Sequence, residues 1–293
     1  AELTAAVAAG ITINVESERE LPLLAAASAR LGLPARIAVR VNPDFELKGS
    51  GMKMGGGSQQ FGIDAERVPA VLARIGELGL AFQGFHIYTG SQNLRHEAIT
   101  TAHDAIFALA YRLAEHAPVA LSHLNIGGGF GVPYFPGDKP LELAPIAENL
   151  ERHLVEAQRH LGGCGIVIEL GRYLVAEAGI YVCEVLERKL SRGEVLLVTN
   201  GGLHHHLAAA GLFGQVIRKN YPVAIGTKLG ATDTELASVV GPLCTPLDLL
   251  ASKLELARAD AGDLVVVYQS GAYGYSASPR DFLSHAHPVE VLV

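Results

Sequence analysis

Cysteine is scarce. Cys164, Cys183 and Cys244 are the only three, an odd number without CxxC spacing, so neither a disulfide framework nor a zinc ribbon is supported. Charge is also thin, at 18% of residues, and no basic block occurs among the 23 Lys and Arg that stand against 30 Asp and Glu. That balance argues against nucleic acid or an anionic membrane as the main partner. Long apolar runs are missing as well: Gly, His or a charge interrupts each one well before the roughly 20 residues of a membrane span. The N-terminus has no basic-then-apolar leader pattern, and the expectation is a cytoplasmic protein. What is abundant is apolar content, 49% of 293 residues, with mean hydropathy +0.27. This is a packed globular chain of one large or two ordinary domains, with small ligands or other proteins as partners.

To about residue 180, short β-branched runs alternate with Ala/Leu-rich stretches. Strands are expected at Ile11–Val15, Ile37–Val41, Ala81–Ile87, Leu121–Ile126 and Ile166–Glu169. Apolar spacings of three and four predict helices at Glu18–Leu31, Ala65–Leu78, His96–His116 and Leu141–Leu161. Such alternation implies a parallel sheet with helical crossovers, either a barrel or a doubly wound sheet. After Gly179 strands separated by turns take over, at Tyr181–Lys189, Glu194–Thr199, Leu236–Val240 and Asp263–Gln269. The reading is therefore two domains, 1–178 and 179–293, the second all-β. Leu207–Phe213 stays open as helix or turn, and 49–57 reads as a Gly-rich mobile loop. Only about five strand units precede the β domain, so a barrel here would lack its beginning.

Several strand ends carry chemistry-bearing residues. Leu124-Asn125-Ile126 runs into Gly127, Gly128 and Gly129, where bare backbone can approach a phosphate, a plain glycine turn between strand and loop being the lesser alternative. A dinucleotide fingerprint would need glycine where Val132 stands. Glu169-Leu170-Gly171-Arg172 puts an acid and a guanidinium at another strand end. By itself it reads as an ion pair; beside a phosphate cradle it suggests Arg172 on phosphate and Glu169 on a basic nitrogen. His86 to Gln92 delivers Tyr88, Thr89 and Ser91 after a strand, and Tyr88 either stacks on a planar ligand or packs in the core. The adjacent His204, His205 and His206 point to alternating faces on an extended segment, which disfavours a shared metal. Cys244 lies in a proline-framed turn near Asp248, as inert packing or as a proton-transferring thiol.

Taken in order, HxxxGSQ from His86, LNIGGGFG from Leu124, ELGRYLVAEAG from Glu169, GPLC from Gly241 and GAYGYS from Gly271 resemble the fold-type III pyridoxal-phosphate decarboxylases, the family of diaminopimelate, ornithine and arginine decarboxylases. The resemblance covers essentially the whole chain. HIYTGSQNL and GPLCTPLD look typical of the branch associated with exosortase gene clusters. The resemblance implies an (α/β)8 TIM-type barrel with its N-terminal strands missing from this chain, a C-terminal β-sandwich, and a homodimer with shared active sites. It implies pyridoxal 5'-phosphate as cofactor, held by Ser91, Gly127, Gly128, Gly129, Gly171, Arg172 and Tyr273, with Glu169 on the ring nitrogen and Tyr88 against the ring. Cys244 would return a proton to Cα in the neighbouring subunit's site, and Cys244, Thr245, Asp248 and Tyr273 would meet the substrate. The reaction implied is decarboxylation of an amino acid or derivative, free or carrier-attached.

Three departures from the family pattern qualify this. Tyr88 stands where a second histidine is usual. Asn200, Ala208 and Thr245 replace the Asp, Arg and acid that serve a zwitterionic distal group in diaminopimelate decarboxylases, which argues against that substrate. The cofactor lysine of an early barrel strand has no counterpart among Lys48, Lys53, Lys139, Lys189, Lys219, Lys228 and Lys253. Either early strands carrying it are absent from this sequence, or the product is a non-catalytic pyridoxal-phosphate-binding scaffold. A racemase of the same fold type is the further alternative, against which GPLC weighs.

Overall fold

Where the β-branched runs stop and the Ala/Leu stretches start, the chain alternates between strand and helix, and the elements follow in this order: α1 (Glu2–Ala8), β1 (Ile13–Val15), α2 (Glu20–Leu31), β2 (Arg36–Asn42), β3 (Met52–Lys53), β4 (Ile63–Asp64), α3 (Val68–Glu77), β5 (Ala81–Ile87), β6 (Gly90–Ser91), α4 (His96–Ala114), β7 (His123–Gly128), α5 (Ala144–His160) and β8 (Gly165–Glu169). A short α6 (Gly171–Val175) then leads into β9 (Tyr181–Ser191), β10 (Glu194–Thr199), β11 (Val223–Ile225), β12 (Thr234–Val240), β13 (Leu249–Ala257) and β14 (Leu264–Val267). This computed structural model describes residues 1–45, 52–53, 55–213 and 218–293. It divides into two units, 1–131 with 141–170, and 132–140 with 171–293. The division thus falls eight residues before the compositional change at Gly179, and the segment 132–140 joins the second unit.

The first unit is built on a parallel sheet ordered β1-β2-β5-β7-β8, with β4 also paired to β2. Parallel partners in register present the same face. Val39, Phe85 and Leu124 occupy one level, and none of the three is exposed. They meet the apolar stripes of the crossover helices, such as Leu21, Leu24 and Ala27 of α2 and Ile106, Phe107 and Ala110 of α4. One residue further along, Arg40, His86 and Asn125 are in register on the opposite face. The strand alternation thereby sorts apolar side chains toward the helices and polar ones toward the other side. Pro145 in the first turn sets the start of α5, three residues later than the apolar spacing suggests. Gly32 ends α2 in the left-handed conformation that glycine adopts without strain.

The second unit is a six-stranded sheet ordered β11-β14-β9-β10-β12-β13, antiparallel except for β10 with β12. The edge strands β11 and β13 approach one another, so the sheet curls around one core containing Val185, Leu197, Val239, Leu250 and Val265. β13 is not among the strands expected from the sequence, and its LLASKLELA is rich in helix-favouring residues. Antiparallel pairing with β12 and burial of Leu250, Ala251 and Leu256 override that preference. Leu207–Phe213 is a series of turns. Of the glycine-rich segment 49–57, residues 52–53, in β3, and 55–57 lie among the described residues, and Asn42 Oδ1 accepts from Gly56 N at 3.0 Å while its Nδ2 donates to Gly57 O at 2.8 Å.

The sheet demands glycine at one interior position. A Cβ on Gly84 would overlap the carbonyl oxygen of His123 on the neighbouring strand. Gly84→Ala should therefore lower stability by about 3 kcal/mol, the upper range for overpacking a tight interior. A urea unfolding curve superimposable on that of the parent would show instead that β5 and β7 can part locally.

Candidate active site

The polar level of the parallel sheet converges on Glu169, the last residue of β8. Asn125 on β7 donates from Nδ2 to Glu169 Oε1 at 2.9 Å and accepts the Gly127 amide on Oδ1 at 2.9 Å. His86 on β5 brings Nε2 to 3.4 Å from Oε2. The imidazole is buried, whereas the Glu169 side chain is 43% exposed. His86 is the largest influence holding the Glu169 carboxyl below its ordinary range; Asn125 and more distant Arg40 assist, and burial opposes them. Arg40 is itself held by Glu16 at 2.8 Å and lies over the Phe61 ring at 4.8 Å. The result is an anionic carboxylate, oriented from two sides and open on a third, suited to hold a protonated nitrogen.

The glycines after β7 are required by close backbone packing. A Cβ on Gly128 would overlap the carbonyl oxygen of Glu169, and one on Gly129 the carbonyl oxygen of Gly90. One on Gly127, whose φ is +72°, would lie 2.9 Å from both Ile87 O and Tyr88 Cδ2. Tyr88 thus packs on Gly127 with its ring tilted 53° to that of His86, 6.4 Å away. Ser91, in β6, adjoins Gly129. Asn93 straps the run, donating from N to Gly129 O and accepting on O from Gly131 N, both at 2.9 Å. The segment is a rigid backbone cradle beside an oriented carboxylate.

In the second unit Arg172 and Tyr273 are brought together. The Arg172 guanidinium lies 4.6 Å from the centre of the Tyr273 ring, and its Nη1 donates to Tyr134 OH at 3.3 Å. Its buried Nε has no hydrogen-bond partner, leaving donor capacity for an anion. Tyr273 adopts φ +54° and stacks on Phe213 at 5.1 Å, a left-handed conformation rare for a bulky residue and often tied to a function. Gly171 opens the same short helix as Arg172.

Cys244 is an exposed thiol, and Thr245 beside it accepts Leu247 N on Oγ1 at 3.3 Å. Asp248, expected at the substrate, is instead a buried structural anchor. Its Oδ1 accepts from Leu203 N at 2.6 Å and its Oδ2 from Leu243 N at 2.8 Å, so both oxygens are used in fixing two turns. Two members of the histidine triplet have separate hydrogen-bond partners, whereas neither ring nitrogen of His204 has one. His205 donates from Nε2 to Ala286 O at 2.8 Å, and His206 Nε2 pairs with Ser270 Oγ at 2.9 Å. The sequence reading overlooked Asn125 and gave no role to His86 at the site. Register with Glu169's strand, once β5, β7 and β8 are known to be neighbours, is the signal that finds them.

Comparison with known proteins places these features in context. The family model described as "Pyridoxal-dependent decarboxylase, pyridoxal binding domain" matches residues 1–176. The chain is 39% identical over 297 residues to the L-glutamyl-[BtrI acyl-carrier protein] decarboxylase of Niallia circulans, covering 99% of this chain and 69% of that protein. It is 32% identical to the 2-[(L-alanin-3-ylcarbamoyl)methyl]-2-hydroxybutanedioate decarboxylase of Staphylococcus aureus, covering 98% and 72%. The crystal structure of diaminopimelate decarboxylase from M. jannaschii with L-lysine superposes with a TM-score of 0.84 at 23% identity, covering 98% of this chain and 65% of that one. The chain therefore spans roughly two thirds of the length of these proteins. No helix among the described residues is long and apolar enough to cross a membrane.

The hold on Glu169 can be tested directly. Because its carboxyl is depressed, the stabilisation by its partners is complete above the ordinary glutamate pKa and lost as pH falls through the lowered native value. His86→Leu should move the Glu169 titration upward, toward that of a free glutamate, in 13C-detected NMR of labelled protein. An unmoved titration would assign the depression to Asn125 and Arg40 alone.

Proposed function

Since the chain belongs to the fold-type III pyridoxal-phosphate-dependent decarboxylases, we propose that it is the main part of a carboxy-lyase acting on an amino acid or amino-acid derivative other than meso-diaminopimelate. The observation that carries this reading is the ionised Glu169, oriented by His86 and Asn125, next to the glycine cradle at 127–129. When bound, pyridoxal 5'-phosphate supplies a ring that accepts the electrons left on Cα by departure of carbon dioxide. Glu169 would keep the proton on the ring nitrogen through a charge-assisted hydrogen bond. Gly127, Gly128, Gly129, Ser91, Gly171, Arg172 and Tyr273 would hold the phosphate. Tyr88 would flank the ring.

Cys244, an exposed thiol, would return a proton to Cα in the neighbouring subunit of a cytoplasmic homodimer, with Thr245 and Tyr273 at the substrate. Residues 1–178 would form the cofactor-binding part and 179–293 the β domain. The substrate proposal rests on Asn200, Ala208 and Thr245, which offer no ionic partner to a distal zwitterion. Ala208 is moreover buried in the core of the β unit. The two relatives whose names specify a carrier-attached glutamate and an extended carboxylated amine support an amino acid with a modified distal end.

The test is carbon dioxide release by the full-length protein with pyridoxal phosphate, offered free L-amino acids, the pantetheine thioester of the L-glutamate side-chain carboxyl and meso-diaminopimelate in parallel. Turnover of a modified or neutral-ended amino acid above diaminopimelate is expected; the reverse order would overturn the substrate proposal, and no release with any would overturn the reaction. Glu169→Gln should lower kcat by about 10²-fold or more while the cofactor still binds. Cys244→Ala should slow turnover by about 10²-fold with cofactor affinity unchanged. Full activity in single-turnover and steady-state assays would remove either residue from its role.

A further inference from the structure

The polar level that ends at Glu169 begins beside β1. Glu16, the residue after that strand, carries a carboxylate shared between two elements. Its Oε1 meets Arg40 Nη1 of β2 at 2.8 Å, and its Oε2 accepts from Gly62 N, at the entry to β4, at 3.0 Å. The backbone of Glu16 is itself held, because Glu20 Oε2 accepts from Glu16 N at 2.8 Å and from Ser17 N at 3.0 Å. The Phe61 ring covers the Arg40 guanidinium, 4.8 Å from its centre. Gly62 comes so close only as glycine: its φ is +76°, and a Cβ would lie 2.9 Å from Asn42 N. β4 then continues in register beside β2, Ile63 with Val41 and Asp64 with Asn42. Arg40 is clamped between a carboxylate and an aromatic ring that the surrounding backbone keeps in place.

The clamp matters because of what lies next to Arg40. Arg40, His86 and Asn125 share one level of the parallel sheet, and both His86 and Asn125 reach Glu169. Arg40 stands one strand further from β8 than His86, about 4.8 Å, and its side chain is the longer of the two. Its charge is already felt at Glu169, where it helps to hold the carboxyl below its ordinary range. A guanidinium and a carboxylate that meet in a partly buried site form a bidentate, charge-assisted pair, and a cation deprived of its partner there is costly. Without the Glu16 charge, Glu169 is the carboxylate to which Arg40's level leads. A pair between them would occupy the side of Glu169 that is now open, its side chain being 43% exposed.

We propose that Glu16 is a positioning residue for the candidate site: it holds Arg40 away from Glu169 and so leaves the open side of that carboxylate to the protonated ring nitrogen of pyridoxal 5'-phosphate. This role rests on the reading that Glu169 holds that nitrogen. Glu16 acts through Arg40 and not on the reacting atoms. Arg40 then lends its field to Glu169 while its hydrogen bond is spent on Glu16.

The experiment uses the full-length protein freed of cofactor and three measurements: the Glu169 carboxyl titration by 13C-detected NMR, the dissociation constant of pyridoxal phosphate, and the thermal midpoint. Glu16→Gln removes the charge and keeps an oxygen for Gly62 N. It should move the Glu169 titration downward, since Arg40 then pairs with that carboxylate, and weaken pyridoxal phosphate about tenfold at a midpoint close to the parent's. Adding Arg40→Met should restore the affinity and carry the Glu169 titration above that of the parent, a rescue that a purely structural loss would not show. An unmoved Glu169 titration in Glu16→Gln overturns the proposal, as does a downward shift or a loss of affinity that persists in the double variant. Should Glu16→Gln not fold by itself, Arg40→Met with and without Glu16→Gln decides: equal Glu169 titrations and affinities support action through Arg40, and a difference between them overturns it. Failure of the parent itself to bind pyridoxal phosphate would strike the cofactor reading instead, and the Glu169 titrations would still decide the role of Glu16.

Discussion

The near contact of bare backbone at the end of β7 is the constraint on which the candidate site depends. Gly128 faces the Glu169 carbonyl and Gly129 the Gly90 carbonyl with no space for a methyl group between them. Only because those segments approach so closely does Asn125 reach Glu169 with one end of its amide and the Gly127 N–H with the other. The carboxylate and the glycine run are therefore a single mechanical piece. A side chain at Gly128 would push β8 outward and take Glu169 out of reach of Asn125, and one at Gly127 or Gly129 would collide with the end of β5 or the segment after it.

Around that piece the first unit separates two kinds of work. Apolar residues at the Val39, Phe85 and Leu124 level bind the sheet to its helices, and the next level, Arg40, His86 and Asn125, builds an electrostatic environment for an anion. The second unit works on different terms. Its curled sheet is a scaffold for turns, and buried Asp248 holds two of them by backbone hydrogen bonds. It also presents a guanidinium near two aromatic rings, those of Tyr134 and Tyr273. Rings stabilise a cation without neutralising it, so Arg172 keeps its charge for an anionic ligand.

Asp248 and Asn125 illustrate how legibility varies. In sequence, Asp248 near Cys244 looks like part of a reactive turn; in the structure its carboxylate is spent on Leu243, five residues away, and on Leu203, 45 residues away, whose proximity only the fold supplies. Asn125 looks like an ordinary strand residue, yet it is the link between carboxylate and cradle. Glu169, the glycine run and Arg172 were readable in advance because strand ends rich in glycine and charge are unusual enough to stand out. Strand β13 was not, because its residues favour helix and only pairing with β12 decides otherwise.

The chain's own sequence determined the succession of strands and helices in the first half, the change to β structure in the second, and the ordered motifs that tie it to its family. These are local or additive properties: hydrophobic period, turn residues and spacing along one chain. Tertiary structure alone decided which strands are neighbours, and hence that His86 and Asn125 meet Glu169. It likewise decided that Asp248 anchors Leu203. Each of these is a contact between residues distant in sequence, and no local propensity encodes a distance across a sheet.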